Sequence, residues 1–284
     1  MPRGITPRQP SRSGRHDKVA KLAARGKGPA ANQPPAPRKA KSEKAASSLQ
    51  RKTGVASKRY NPIARDRVDE ILKRLDERYP AATCALHHHS AWELLVATIL
   101  SAQCTDVRVN MVTPVLFEKY PTPQAFAALQ PEELEDDIRS TGFFRNKSKS
   151  LVGAARKIVG EFGGQVPRTM DELLTVPGVA RKTANVVLGT WYKIADGVVV
   201  DTHVQRISRR LELTRNTDPQ KIERDLMKVI PRDKWILFAH QIILHGRALC
   251  IARSPKCADC PLENLCHAAD KTWSTVEIHR SAKP

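Results

Sequence analysis

The residues of this 284-residue chain best suited to chemistry fall into three groups. The first sits in Leu173-Leu174-Thr175-Val176-Pro177-Gly178-Val179-Ala180-Arg181-Lys182-Thr183-Ala184. An apolar helix end runs into a Pro-Gly turn and a new helix begins at once. Such a corner turns unpaired backbone N–H groups and a helix N-terminus toward solvent, which suits an anion. Lys182 falls about one turn into the second helix, where the helix dipole and neighbouring Arg181 both disfavour its charged form. A lysine that gives up its proton readily can attack a sugar C1′ and form a Schiff base. The second group is Val199-Val200-Asp201-Thr202-His203. A carboxylate near that amine can take up protons or stabilise a developing cationic sugar. Each has a plainer reading: a helix-turn-helix corner for the turn, a solvated lysine touching phosphate for Lys182, a helix N-cap for Asp201.

The third group is Cys250-x6-Cys257-x2-Cys260-x5-Cys266. Four thiolates at this spacing suit a tetrahedral zinc or a four-iron cluster, and with no secretion signal a disulfide framework is disfavoured. Arg253 and Lys256 lie on the short loop between the first two cysteines. They are placed either to touch phosphates or to form a solvated charge pair. Cys84 and Cys104 stand alone and read as buried free thiols.

The elements that must position these groups are helical. Val68, Ile71, Leu72, Leu75 and Tyr79 form one face of a helix that stops before Pro80. Trp92 to Ala102 is apolar almost all round, as a buried helix is. Further helices are predicted near 107–119, 131–139, 145–161, 169–174, 181–192, 202–212, 218–230 and 235–249. Breaks are predicted at Pro121-Thr122-Pro123, Gly163-Gly164, Pro177-Gly178, Asp196-Gly197 and Pro231. The one strand-like run, Val198-Val199-Val200, is too short and isolated to build a sheet. The class is all-α.

Charge is placed unevenly. Residues 1–60 hold 16 Lys or Arg against two acids, while the rest of the chain holds 32 against 27. The basic stretch is rich in Pro, Ala and Ser and has little to bury, so it is predicted to be a disordered tail with affinity for a polyanion such as nucleic acid. Its Arg-rich, acid-poor character also fits an organelle transit peptide. No apolar run approaches the roughly 18 residues of a membrane span. The expected location is the cytoplasm, on the nucleoid.

Taken together, these motifs resemble the endonuclease III family of base-excision DNA glycosylases. The resemblance runs from about Asn61 to Trp273. It takes in Leu100-Ser101-Ala102-Gln103-Cys104-Thr105-Asp106, then Thr141-Gly142-Phe143-Phe144-Arg145-Asn146-Lys147, the turn with Lys182, Val200-Asp201-Thr202-His203, Leu244-His245-Gly246-Arg247, and the four cysteines. It implies that Lys182 is the nucleophile, that Asp201 is its acidic partner, and that Cys250, Cys257, Cys260 and Cys266 hold a [4Fe–4S] cluster rather than zinc. It further implies that Gln103 fills the space of an extruded base while Phe143 or a neighbour wedges into the stack. Gly178, Ala180, Arg181, Arg253 and Lys256 would contact phosphates.

The implied fold has a six-helix domain at 84–194 carrying a helix-hairpin-helix. A cluster domain built from 61–83 and 195–273 would lie across a DNA groove from it, followed by a short tail over 274–284. The implied activity is that of a bifunctional glycosylase and AP lyase, monomeric, acting on oxidised pyrimidines or abasic sites in duplex DNA. A pyrimidine-dimer or mismatch glycosylase on the same scaffold, or a non-catalytic iron–sulfur DNA-binding protein, are the alternatives. Lys182 argues against the relatives that activate water instead. One residue departs from the family pattern. Ala180 stands where glycine is usual, and its methyl group would hold a phosphate off, or cost about 1–2 kcal/mol if the position needs φ > 0.

Overall fold

The computed structural model describes residues 60–275. The basic tail expected over 1–60, apart from Tyr60, and the end of the C-terminal tail beyond Thr275 lie outside the described residues. Within them the helices are α1 (Arg65–Arg78), α2 (Ala91–Leu100), α3 (Asp106–Lys119), α4 (Pro123–Ala128), α5 (Pro131–Ile138), α6 (Phe144–Phe162), α7 (Met170–Thr175), α8 (Arg181–Thr190), α9 (Thr202–Arg210), α10 (Pro219–Val229) and α11 (Trp235–Ala248). No strand occurs among the described residues. Val198-Val199-Val200 runs as a linker, with Val198 buried against the helices that follow.

These residues belong to one compact body with two hydrophobic cores. The first core is filled from α2 through α8, with Leu94, Leu100, Phe126, Leu134, Leu151 and Ile158 fully buried. The second joins Ile71 and Leu75 of α1 to Val204 and Ile207 of α9, Ile222 and Leu226 of α10, and Phe238 and Ile242 of α11. The amphipathic face of α1 therefore finds its partners in helices that follow the whole first lobe.

Local chemistry sets the helix ends. Ser90, Thr105 and Thr169 each accept a bond from a backbone N–H three residues on, as N-caps do. Gly163, at φ 59°, ends α6, and the Gly164 N–H returns to the Ile158 carbonyl at 2.9 Å. The predicted break at Pro121-Thr122-Pro123 separates α3 from α4, a helix the sequence reading did not include. Pro123 begins this helix rather than preventing it, because the first helical residue needs no N–H partner and Thr122 caps it.

Candidate active site and metal centre

The hairpin between α7 and α8 is shaped by Gly178. It sits at φ +78°, and a Cβ there would lie 2.7 Å from that of Ser150, so both backbone conformation and space demand glycine. Val176 and Val179 anchor the turn in the first core, and the Val179 N–H closes it on the Val176 carbonyl at 3.1 Å. Ala180 is the N-cap of α8 and offers no side-chain acceptor, so the first N–H groups of that helix have no partner in its cap. Its φ of −97° and ψ of 170° are extended backbone that alanine adopts freely. The backbone cost considered for a methyl group here therefore does not arise, since that cost required positive φ.

Arg181 and Lys182 leave the same helical turn in different directions. Arg181 donates through Nε to Glu223 of α10 at 2.8 Å, and Glu223 also accepts from Asn185 at 2.8 Å. That guanidinium is thus engaged in joining the lobes. Lys182 is exposed and lines a cavity of about 110 Å³ between them. Asp201 lines the same cavity from the other lobe. It caps α9, its Oδ1 accepting from the Val204 N–H at 2.8 Å, which fixes the carboxylate's position. Capping and a place at the cavity coincide in this one residue.

Two wall residues carry weight that the sequence did not reveal. Asp106 of α3 and Arg247 of α11 both line the cavity and form an ion pair at 2.6 Å. His240 and Cys84 line the same cavity. Burial pushes the imidazole pKa of His240 down and the thiol pKa of Cys84 up, so both favour their neutral forms. Gln103 and Phe143 lie outside the cavity lining. Both are exposed, Phe143 by 62%, and both hold left-handed backbone, at φ 52° and 48°. For a phenylalanine that conformation is an outlier, and such strain gathers at working sites.

The four C-terminal cysteines form no disulfide and line a single cavity. Among the described residues no three His, Cys, Asp or Glu side chains are grouped to hold one metal ion. The surroundings fit thiolate ligands. Arg210 Nη1 donates to Cys250 Sγ at 3.2 Å, and His245 Nε2 lies 3.5 Å from Cys260 Sγ. Burial pushes the Cys260 thiol pKa up to about 12 and raises that of Cys266, so these sulfurs need a bound cation to ionise.

One turn of α11 serves both places. A Cβ on Gly246 would lie 2.5 Å from His203 Nδ1, so glycine allows α11 to touch α9 there. On either side of that contact, His245 is buried between Tyr79 and Cys260 while Arg247 reaches the inter-lobe cavity. Burial pulls the His245 pKa down to about 4, with help from Arg78, leaving a neutral ring beside the sulfur. Arg253 and Lys256 are exposed on the loop between Cys250 and Cys257, which the Lys256 N–H closes on the Leu249 carbonyl at 2.9 Å. Neither lines the inter-lobe cavity.

The family profile described as HhH-GPD superfamily base excision DNA repair protein matches residues 96–232, and that of the iron–sulfur binding domain of endonuclease III matches residues 250–266. The chain is 58% identical to endonuclease III of Synechocystis sp. over 205 residues, covering 72% of this chain and 94% of that protein. It is 43% identical to endonuclease III of Bacillus subtilis over 205 residues, covering 72% and 93%. A solved structure of a trapped endonuclease III–DNA covalent intermediate superposes with a TM-score of 0.68 at 44% identity, covering 72% of this chain and 95% of that one.

Proposed function

The chain belongs to the endonuclease III family, and from that premise we propose that Lys182 and Asp201 carry out base excision and strand cleavage on duplex DNA containing oxidised pyrimidines. The observation that carries the proposal is that an exposed lysine and a fixed carboxylate, from opposite lobes, line one cavity.

In this reading the unprotonated Nζ of Lys182 bonds to C1′ as the C1′–N glycosidic bond breaks. The base departs with that electron pair and takes up a proton. Asp201 offsets the positive charge that develops on the sugar, and its cap bond holds it ready without reorganisation. The amine's proton passes to O4′ as the C1′–O4′ bond breaks and the ring opens, and the nitrogen lone pair forms a cationic C1′=Nζ Schiff base. That cation acidifies C2′–H. Removal of the proton drives β-elimination, and the 3′ phosphate leaves with the C3′–O electrons. Water hydrolyses the imine and returns the lysine.

Gly178 and the first N–H groups of α8 grip a phosphate close to the lesion. Arg181 contributes chiefly by holding α8 to α10, while Arg253 and Lys256 reach the backbone from the other lobe. The cofactor is a [4Fe–4S] cluster, and we assign its ligands as Cys250, Cys257, Cys260 and Cys266. When bound, it supplies the Fe–S bonds that fix this loop. The basic first sixty residues add phosphate affinity that is sensitive to salt.

Borohydride reduction tests the chemistry. Wild type incubated with abasic duplex should yield a covalent adduct, and Lys182→Ala should yield none. An adduct of normal yield from the variant would move the nucleophile to another residue.

A further inference from the structure

Lys147 is a cation where an apolar residue would ordinarily sit. It is 5% exposed, and its ammonium donates to the Leu100 and Thr141 carbonyls, each at 2.8 Å. Its backbone N–H also bonds the Phe143 carbonyl at 3.1 Å. Burying an ammonium costs several kcal/mol even after relaxation, so packing alone does not account for it. Leu100 ends α2, and Thr141 ends a 3₁₀ turn over Arg139–Thr141. Carbonyls at helix ends carry the negative end of the dipole and attract a cation.

The two bonded carbonyls stand just upstream of the two strained residues. Gln103 follows Leu100 by three positions at φ 52°, and Phe143 follows Thr141 by two at φ 48°. These segments are far apart in sequence and share this one ammonium. We propose that Lys147 is a positioning residue that fixes the separation of Gln103 and Phe143, so that both enter the duplex together as a base is extruded. The inference rests on the glycosylase reading above. Extrusion opens a gap that must be filled at once, and two side chains on independently moving loops would fill it less often than a pair on one anchor.

The test uses the full-length, cluster-bound chain and Lys147→Met, which keeps an unbranched chain out to the ε atom and removes the charged group. One duplex carries an oxidised pyrimidine beside 2-aminopurine, whose fluorescence rises when the stack opens. A second carries an abasic site, where no base remains to be extruded. Single-turnover excision should fall by about tenfold or more and the fluorescence rise should be lost, while borohydride trapping on abasic DNA changes by less than about threefold. Wild-type excision by the variant, or an equal fall on both duplexes, overturns the proposal. A wild type that neither excises nor traps overturns the glycosylase reading itself. Should Lys147→Met not fold, Gln103→Ala, Phe143→Ala and the double variant decide the matter. Coupled effects on excision support a shared anchor, and additive ones overturn it.

Discussion

The hairpin and the cysteine loop both turn outward the groups proposed above to bind phosphate, yet they are held by opposite means. The hairpin is the rim of a core. Val176 and Val179 are buried, Ser150 backs Gly178, and a Cβ on Gly153 would come within 3.2 Å of Pro177. The segment after Cys250 has little to bury beyond Pro255, Leu262 and Ala268. Polar ties replace packing there. Arg210 bonds Cys250 Sγ, the Ile251 and Ala252 carbonyls and Asp270, while Lys271 bonds the Cys266 carbonyl and Glu263. A segment with so small a core needs cross-links, and the proposed ligation of the cluster by the four cysteines would supply them. One of the two proposed phosphate-binding surfaces is therefore an apolar construction, and the other would depend on its metal.

Removing a cysteine should break this comparison most sharply. Cys257→Ala is expected to lose the cluster and its colour and to open residues 250–275 to protease, while amides of α2, α6 and α8 keep their exchange protection. Metal binding in small structural sites is worth about 10–16 kcal/mol in zinc peptides, which sets the scale of the loss. DNA affinity should fall with the loop. If protection in α6 collapsed as well, the first lobe would not be the independent construction that its core suggests.

A smaller effect should come from Lys271→Met. Lys271 and Glu263 are both nearly inaccessible, and the variant leaves a buried carboxylate without its cation, a loss of about 3–5 kcal/mol in comparable pairs. Burial alone would raise the Glu263 pKa, but bonds from Lys271 and Thr275 outweigh it and hold it at about 2. A folded pKa below the unfolded value near 4.5 means this contribution is complete above pH 4.5 and lost as the pH falls toward 2. Limited proteolysis across that range should show the wild-type loop loosening with acid and the variant already loose at pH 7. Equal protease resistance of the two at neutral pH would remove the ion pair from the account.

Much of this arrangement was legible in the sequence where the cause is local. Pro177-Gly178 marks the hairpin because a tight turn needs those residues. Asp201 announces a helix start because a carboxylate caps the N–H groups that follow it. The cysteines declare themselves by spacing. What escaped is what depends on contacts distant in sequence. Asp106 and Arg247 meet across 141 residues, and Arg181 and Glu223 across 42, pairings that no local pattern announces. Lys147 belongs to a motif visible in the sequence, but its burial does not show there, since a lysine early in a helix is ordinarily exposed. Helix α4 was hidden by Pro123, which starts a helix as readily as it breaks one.

The smallest expected effect is the most pointed test of the hairpin. Ala180 was set apart by its methyl group, and its extended φ of −97° removes backbone strain as a reason for weak binding. Glycine in its place meets two opposed consequences for stability. It is the better N-cap, but it also widens the unfolded ensemble at a cost of about 0.4–1 kcal/mol. These nearly offset, so the melting temperature of Ala180→Gly should stay close to that of wild type. Binding to abasic duplex should change by less than about 0.5 kcal/mol, as at an unstrained surface position. Tightening beyond about 1 kcal/mol would have a different meaning. With strain already absent, it would show that the methyl group itself keeps the phosphate from the first N–H groups of α8. The hairpin would then depend on close approach as well as on its core.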